Sequence, residues 1–346
     1  MNRDGVKISI IVPCYKVEKY LRRAMDALLS QTMKEIEIVC INDGSPDGCL
    51  DILRGYEQED ERVIVIDKPN EGVWAARLDG VKRSSGEYIG FADPDDYVKS
   101  DFAESLYRAA EKYDADIACC GFDRVDSETG RTYSREMTKF RYDHFDMRKE
   151  PGLMLEVNAA IWNKIFRRSL FSSMGQIPKV PGALDDMIFA QLLYVNAGRI
   201  AFVNRALVSY TVRADSIIST ISPELIPGIY DAMHAARRVF ESENPSMLVY
   251  FDSNAFLHLG ISLMHRLSAD RGNDMRQLIR RNIAELDAHF PLWRRSPYIR
   301  LSYVLSHRLA NLKLFIIRRI YGFGAFNLFL KVYGAMINGL GIDIKW

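Results

Sequence analysis

Between residues 8 and 93 the chain alternates short apolar runs with segments of helical spacing, and polar clusters follow the first, second and fourth runs. Residues 8–12 predict a strand, which Pro13 is expected to end. Residues 17–29 predict a helix, because Val17, Leu21, Met25, Leu28 and Leu29 recur near helical spacing. Residues 36–41 read as a second strand, stopped by Asn42-Asp43-Gly44, and 50–56 as a short helix. A third strand is expected over 63–66, a helix over 73–81, and a fourth strand over 88–92, ending at Asp93. This order predicts an α/β fold with a mainly parallel sheet flanked by helices. Ligands of such sheets bind beyond the carboxyl ends of the strands. Pro13-Cys14-Tyr15, Asn42-Asp43-Gly44-Ser45 and Asp93-Pro94-Asp95-Asp96 all fall there, which predicts a site on that edge.

The rest is more mixed. A helix is expected over 101–113, a strand over 116–121, a helix over 185–195, and strands over 200–203 and 206–210. Residues 129–150 are polar and yield no assignment, and the pattern turns helical beyond 221. The expected organisation is an α/β unit over 1–220. A helical, basic amphipathic region follows over 221–346. The formal net charge of +1 over 346 residues gives no global case for nucleic-acid binding. Five cysteines, an odd count without zinc or redox spacing, predict a reducing compartment and no disulfide framework. The first apolar run is too short for a signal-peptide core and lacks a cleavage site, so the α/β unit is expected to be cytoplasmic. The six histidines show no metal-ligand pair spacing.

Asp93, Asp95 and Asp96 crowd one turn after a buried strand. Such carboxylates repel unless a cation sits among them, and Mg²⁺ typically takes one or two carboxylates together with phosphate and water. The same residues also suit a solvated acidic turn with an Asp capping the next helix. Asp43 can accept hydrogen bonds from a base or ribose, or serve the turn that Asp-Gly favours. Asn70-Glu71-Gly72 precedes a helix whose N-terminus favours anionic groups. Arg77, on that helix, can balance the acidic turn, reach phosphate, or lie exposed.

Together these segments resemble the family 2 glycosyltransferases of the GT-A fold. The resemblance rests on residues 9–21, Leu29-Ser30-Gln31-Thr32, Asn42-Asp43-Gly44-Ser45, Asn70-Glu71-Gly72 with Ala75-Ala76-Arg77, and residues 86–96, in that order and spacing. It implies an inverting enzyme using a nucleotide-diphosphate sugar, with UDP the commonest nucleotide, and Mn²⁺ or Mg²⁺. It implies that Pro13, Tyr15 and Glu18 border the nucleotide and that Asp43 contacts the base. Asn70 and Arg77 then lie on the nucleotide side, Asp93 lies near ribose and metal, and Asp95 is the principal metal ligand. The resemblance also divides 1–220 into a nucleotide-binding half of about 1–100 and an acceptor half of about 101–220. Asn42 and Leu78 depart from the pattern, standing where relatives carry Asp and Asn.

Residues 161–171 resemble a segment of the capsule, O-antigen and exopolysaccharide branch, and this puts Trp162 and Lys164 on the acceptor or diphosphate side. Trp162 suits sugar stacking or a core position equally. Leu184-Asp185-Asp186-Met187 resembles the family's acidic pair before a helix, Asp185 replacing Glu, which implies that Asp186 deprotonates the acceptor hydroxyl. Read without the resemblance, Asp185-Asp186 is a helix-start pair favoured by the macrodipole. Residues 210–217 resemble a closing segment near the diphosphate, so Arg213 is expected there. The Gln-x-x-Arg-Trp motif of processive synthases is absent. A sugar nucleotidyltransferase is the alternative enzyme class, but the glycine-rich loop it needs after the first strand is missing. A non-catalytic nucleotide-binding scaffold is the third reading, opposed by the retention of Asp43, Asp93, Asp95 and Asp186.

From Phe290 onward the chain carries nine Arg and Lys residues against one acid, Asp343. Leu301, Leu305, Leu309, Leu312, Ile316 and Ile320 form an apolar stripe at helical spacing. A basic amphipathic helix predicts peripheral membrane contact through 294–342, at the cytoplasmic face of the inner membrane. That placement suits a saccharide or lipid-linked saccharide acceptor. The bland alternative packs the stripe against the rest of the protein.

Overall fold

The four N-terminal apolar runs become neighbouring strands in a computed structural model that describes residues 5–176, 184–212, 221–270 and 272–340. They are β1 (Ile8–Cys14), β2 (Ile36–Asp43), β3 (Val63–Lys68) and β4 (Tyr88–Phe91). All three pairings among them are parallel, in the order β3-β2-β1-β4. Every residue of β1 and β2 is buried, as a parallel sheet covered on both faces requires. Pro13 does not end β1: it pairs with Ile41, one residue before the strand's last. Pairing with β4 stops at Ile11, so Pro13 lies past that neighbour and its missing N–H interrupts no bond to it.

The intervening helices are α1 (Glu18–Leu29), α2 (Cys49–Glu59) and α3 (Val73–Arg83). On α1 the residues Leu21, Ala24, Met25 and Leu28 are buried, one face at the predicted spacing. Beyond β4 come β5 (Tyr97–Val98), α4 (Phe102–Tyr113), β6 (Ile117–Asp126), β7 (Thr132–Glu136), β8 (His144–Asp146), β9 (Lys164–Arg167), α5 (Asp185–Tyr194) and β10 (Arg199–Val212). The sheet continues β4-β9-β6-β10-β5, with β7 on β6 and β8 on β10. Antiparallel β9 joins parallel β4 to the remaining strands, so the sheet is mixed. The two short strands expected over 200–210 are one long strand, irregular between Val203 and Val208. All five cysteines are free and buried.

The chain divides into two compact units, Met1–Arg148 with Ala159–Ala214, and Lys149–Asn158 with Asp215–Trp346. The short segment 149–158 lies within the span assigned by sequence to the α/β unit, yet it packs in the second. There Asn311 donates its backbone N–H to Glu156 (2.7 Å) and its side-chain amide to the Gly152 carbonyl (2.9 Å).

The second unit is helical: α6 (Ile226–Glu243), α7 (Leu248–Ala255), a π-helical stretch (Phe256–Leu263), α8 (Met264–Leu267), α9 (Met275–His289), α10 (Leu301–Ser306), α11 (Leu312–Gly322) and α12 (Phe326–Leu340). Pro245–Leu267 is long and apolar enough to cross a membrane, but 78% of its most apolar stretch is buried. Within it Asp252, Ser253 and Asn254 are buried too, so it reads as a core helix. Asn282 and Tyr321 donate to the carbonyls of Leu259 and Gly260 in the π-helical stretch.

Candidate active site

Asp43 ends β2 and Gly72 precedes α3, and a pair of hydrogen bonds joins them. The Asp43 carboxylate accepts the backbone N–H groups of Glu71 and Gly72, each at 2.9 Å. The Asn70 amide donates to the Asp43 carbonyl, also at 2.9 Å. Gly44 and Gly72 take φ of +62° and +89°, the left-handed region that favours glycine. A Cβ on Gly44 would meet the Asn70 nitrogen at 2.7 Å. Asp43 therefore holds the 70–72 loop against the strand end, and the start of α3 with it.

From that anchored helix Arg77 reaches into a cluster of acids. It is 3% exposed. Its Nη1 lies 2.9 Å from Asp185, and its Nη2 lies 2.7 Å from Asp186 and 3.7 Å from Asp93. Asp93 comes from the turn after β4; Asp185 and Asp186 form the first turn of α5, where the helix dipole favours negative charge. Segments about a hundred residues apart thus meet on one guanidinium. Burial works against the charged Arg77, but Asp186, Asp185 and Asp93 outweigh it and hold its pKa up. Asp93 moves the other way: burial first, then the charge of Asp186, raise its carboxyl well above the ordinary range, with Asp95 adding to the effect. Burial and Asp186 likewise raise Asp185.

One guanidinium facing three carboxylates leaves negative charge in excess. Asp93 and Asp95 with that excess fit a divalent cation, which prefers oxygen ligands. The third acid of the turn, Asp96, does other work: it is 6% exposed and accepts the Thr211 backbone N–H at 2.7 Å, tying the turn to β10. Arg23 donates to the Asp95 carbonyl at 3.4 Å.

The remaining sequence candidates are placed variously. Pro13 is buried in β1, and Tyr15 is 43% exposed just beyond it. Glu18 accepts the Gly48 N–H at 2.9 Å at the start of α2. It lines an open cleft of about 770 Å³ with Lys16, Lys19, Arg22 and Asp51, and that lining includes none of the acids around Arg77. Trp162 is 7% exposed, stacked on Tyr210 at 5.2 Å and edge-on to Phe122 at 4.8 Å. It shares a small cavity with Asp93 and Asp96. Lys164 is fully buried, and its ammonium donates to the Ala160 carbonyl and the Asn163 side chain at 2.6 and 2.8 Å. Burial pushes its pKa down to about 8, against the pull of Cys119, Cys120 and Asp186. Arg213 lies outside the described residues.

Of the sequence readings of Arg77, balancing the acidic turn agrees with its pairing to Asp93 and exposure does not; its pairing with Asp185 and Asp186 is what sequence reasoning missed. A signal was present: Arg77 follows Ala76 and precedes Gly80, both on the buried face of α3, and a buried arginine needs anionic partners.

The family described as Glycosyl transferase family 2 matches residues 9–175. Glycosyltransferase GlyA of Streptococcus pneumoniae is 31% identical over 236 residues, covering 66% of this chain and only 34% of GlyA. Glycosyltransferase GlyG of the same species is 30% identical over 232 residues, covering 62% of this chain and 73% of GlyG. The fold matches a crystal structure of S. aureus TarS 1–349 in complex with UDP-GlcNAc, with a TM-score of 0.69 and 20% identity over 96% of this chain and 92% of that one. With its GT-A-like sheet and its acids gathered at the strand ends, the chain belongs to glycosyltransferase family 2.

Proposed function

We propose that the protein transfers a sugar from a nucleotide-diphosphate sugar, a UDP-sugar, to a hydroxyl of a saccharide or lipid-linked saccharide in surface polysaccharide synthesis. The observation that carries this reading is the meeting of Asp93, Asp185 and Asp186 on Arg77. The UDP-GlcNAc bound by the S. aureus structure supports the donor class.

In this reading Asp186 is the base. An acceptor hydroxyl is a weak nucleophile, and removing its proton in the transition state contributes roughly 10²- to 10⁴-fold. The acceptor oxygen forms a bond to the anomeric carbon as the bond to the diphosphate breaks, the proton passes to Asp186, and one in-line displacement inverts the centre. Arg77 orients Asp186, and Asp185 shares that guanidinium. Asp95, with Asp93, would hold Mn²⁺ or Mg²⁺, which supplies charge neutralisation on the leaving diphosphate. Asp43 sets the loop that leads into α3 and leaves acceptor capacity for a base or ribose.

The second part of the reading is peripheral contact with the cytoplasmic face of the inner membrane. Of the eleven exposed large hydrophobic residues among those described, seven lie between 301 and 332, and Phe323 is 83% exposed. Arg300, Arg308, Lys313, Arg319 and Lys331 are exposed among them. Apolar side chains beside cations suit an anionic lipid surface.

A thermal-shift panel of UDP-, GDP- and dTDP-sugars with and without Mn²⁺ tests the donor. A UDP-sugar should raise the melting temperature, and more so with Mn²⁺. Indifference to every nucleotide sugar would count against the reading.

A further inference from the structure

We propose that His234, Glu285 and His289 bind a divalent transition metal of the zinc class in the helical unit, distinct from the acidic site around Arg77. His234 stands on α6, while Glu285 and His289 stand one turn apart on α9. The ligand atoms of all three lie within 4.8 Å of one another. Nε2 of His234 is 2.6 Å from Oε1 of Glu285, and Nε2 of His289 is 3.9 Å from the same oxygen. The imidazole centroids are 4.2 Å apart, tilted by 36°.

Zinc bonds of about 2.0–2.2 Å to nitrogen and oxygen put tetrahedral ligand atoms about 3.3 Å apart. The observed spacings bracket that separation, so small side-chain rotations bring the three donors to one ion. The His234 ring proton then resides on Nδ1, and the fourth position falls to water. Two imidazoles and one carboxylate suit zinc or cobalt and offer too few oxygens for Mg²⁺ or Ca²⁺. The Phe290 ring, 5.6 Å from His234, gives the pocket an apolar wall. The His289 side chain is 51% exposed, which gives an ion a route in from solvent. Bound metal would tie α6 to α9.

Calorimetric titration of Zn²⁺ into tag-free, EDTA-treated full-length protein tests this, with Co²⁺ absorption reporting coordination. One equivalent is expected to bind, in wild type and in Asp95→Ala alike, with Mg²⁺ failing to compete. His289→Ala should weaken binding at least about tenfold and remove the Co²⁺ bands. Because His289 is largely exposed, the alanine variant should melt like wild type in EDTA. Absence of saturable Zn²⁺ binding, or binding that His289→Ala leaves unchanged, overturns the proposal.

Discussion

Two buried cations define the chemistry of this protein at the scale of single residues. Three carboxylates offset the desolvation of Arg77, and it in turn makes their proximity tolerable. Removing it would leave like charges facing each other in a low-dielectric pocket. The Lys164 ammonium is fully buried, with hydrogen bonds to an amide oxygen and a carbonyl among its contacts. Its pKa falls from an ordinary 10.5 to about 8 in the folded protein. The unfolded chain therefore binds more protons between those two values, and folding stability attributable to Lys164 rises with pH across that window. Urea unfolding of wild type and Lys164→Met from about pH 7 to about pH 10 should reveal it: wild type gains on the variant as pH climbs. A difference independent of pH would show that the ammonium is not held down by burial.

At the scale of elements, the sequence spoke clearly where burial is uniform and poorly where pairing is distant. β1 to β4 are mainly apolar runs between turn residues, and their existence and order follow from that pattern. β9 is Lys-Ile-Phe-Arg, four residues with charge at both ends, which no periodicity marks as the strand bridging β4 and β6. β7 and β8 sit in polar sequence for the same reason. The stripe from Leu301 to Ile320 reads as one helix but is divided between α10 and α11. Between them Arg308, Leu309 and Asn311 adopt positive φ, with Asn311 fixed by Gly152 and Glu156. The acidic turn after β4 and the acidic pair before α5 are each visible in sequence. Their meeting on Arg77 is not, because it depends on where β9 inserts. The histidines tell the same story: Glu285 and His289 are four residues apart, but His234 joins them only through helix packing.

For the whole molecule, the acidic cluster and the exposed apolar side chains fall in different parts of the chain. The acids and Arg77 belong to the α/β unit; the exposed leucines, isoleucine, phenylalanine and valine of 301–332 belong to the helical one. In that second unit the inward faces of the last helices are already filled by Val304, Leu314, Ile317, Tyr321, Phe326, Leu330 and Tyr333. The remaining apolar side chains are what the proposed lipid contact would use, with roughly 1 kcal/mol per nearby Lys or Arg on an anionic surface. Sedimentation with vesicles should therefore find the full chain on anionic lipid and much less on neutral lipid. Added salt and the double change Leu305→Gln, Phe323→Gln should each release it. Equal recovery of wild type and variant, or no recovery on anionic vesicles, would contradict membrane contact.

In the proposed reaction the carboxylate of Asp186 takes a proton while the acids of the β4 turn serve the donor. Turnover and donor affinity of Asp186→Asn, measured with the nucleotide sugar chosen by thermal shift, test it most directly. The amide keeps the size and hydrogen-bonding shape of the side chain but cannot accept the proton. Donor affinity is expected to stay close to wild type and kcat to fall by roughly 10²- to 10⁴-fold. A variant whose kcat stays within about tenfold of wild type would contradict the assignment of Asp186 as the base.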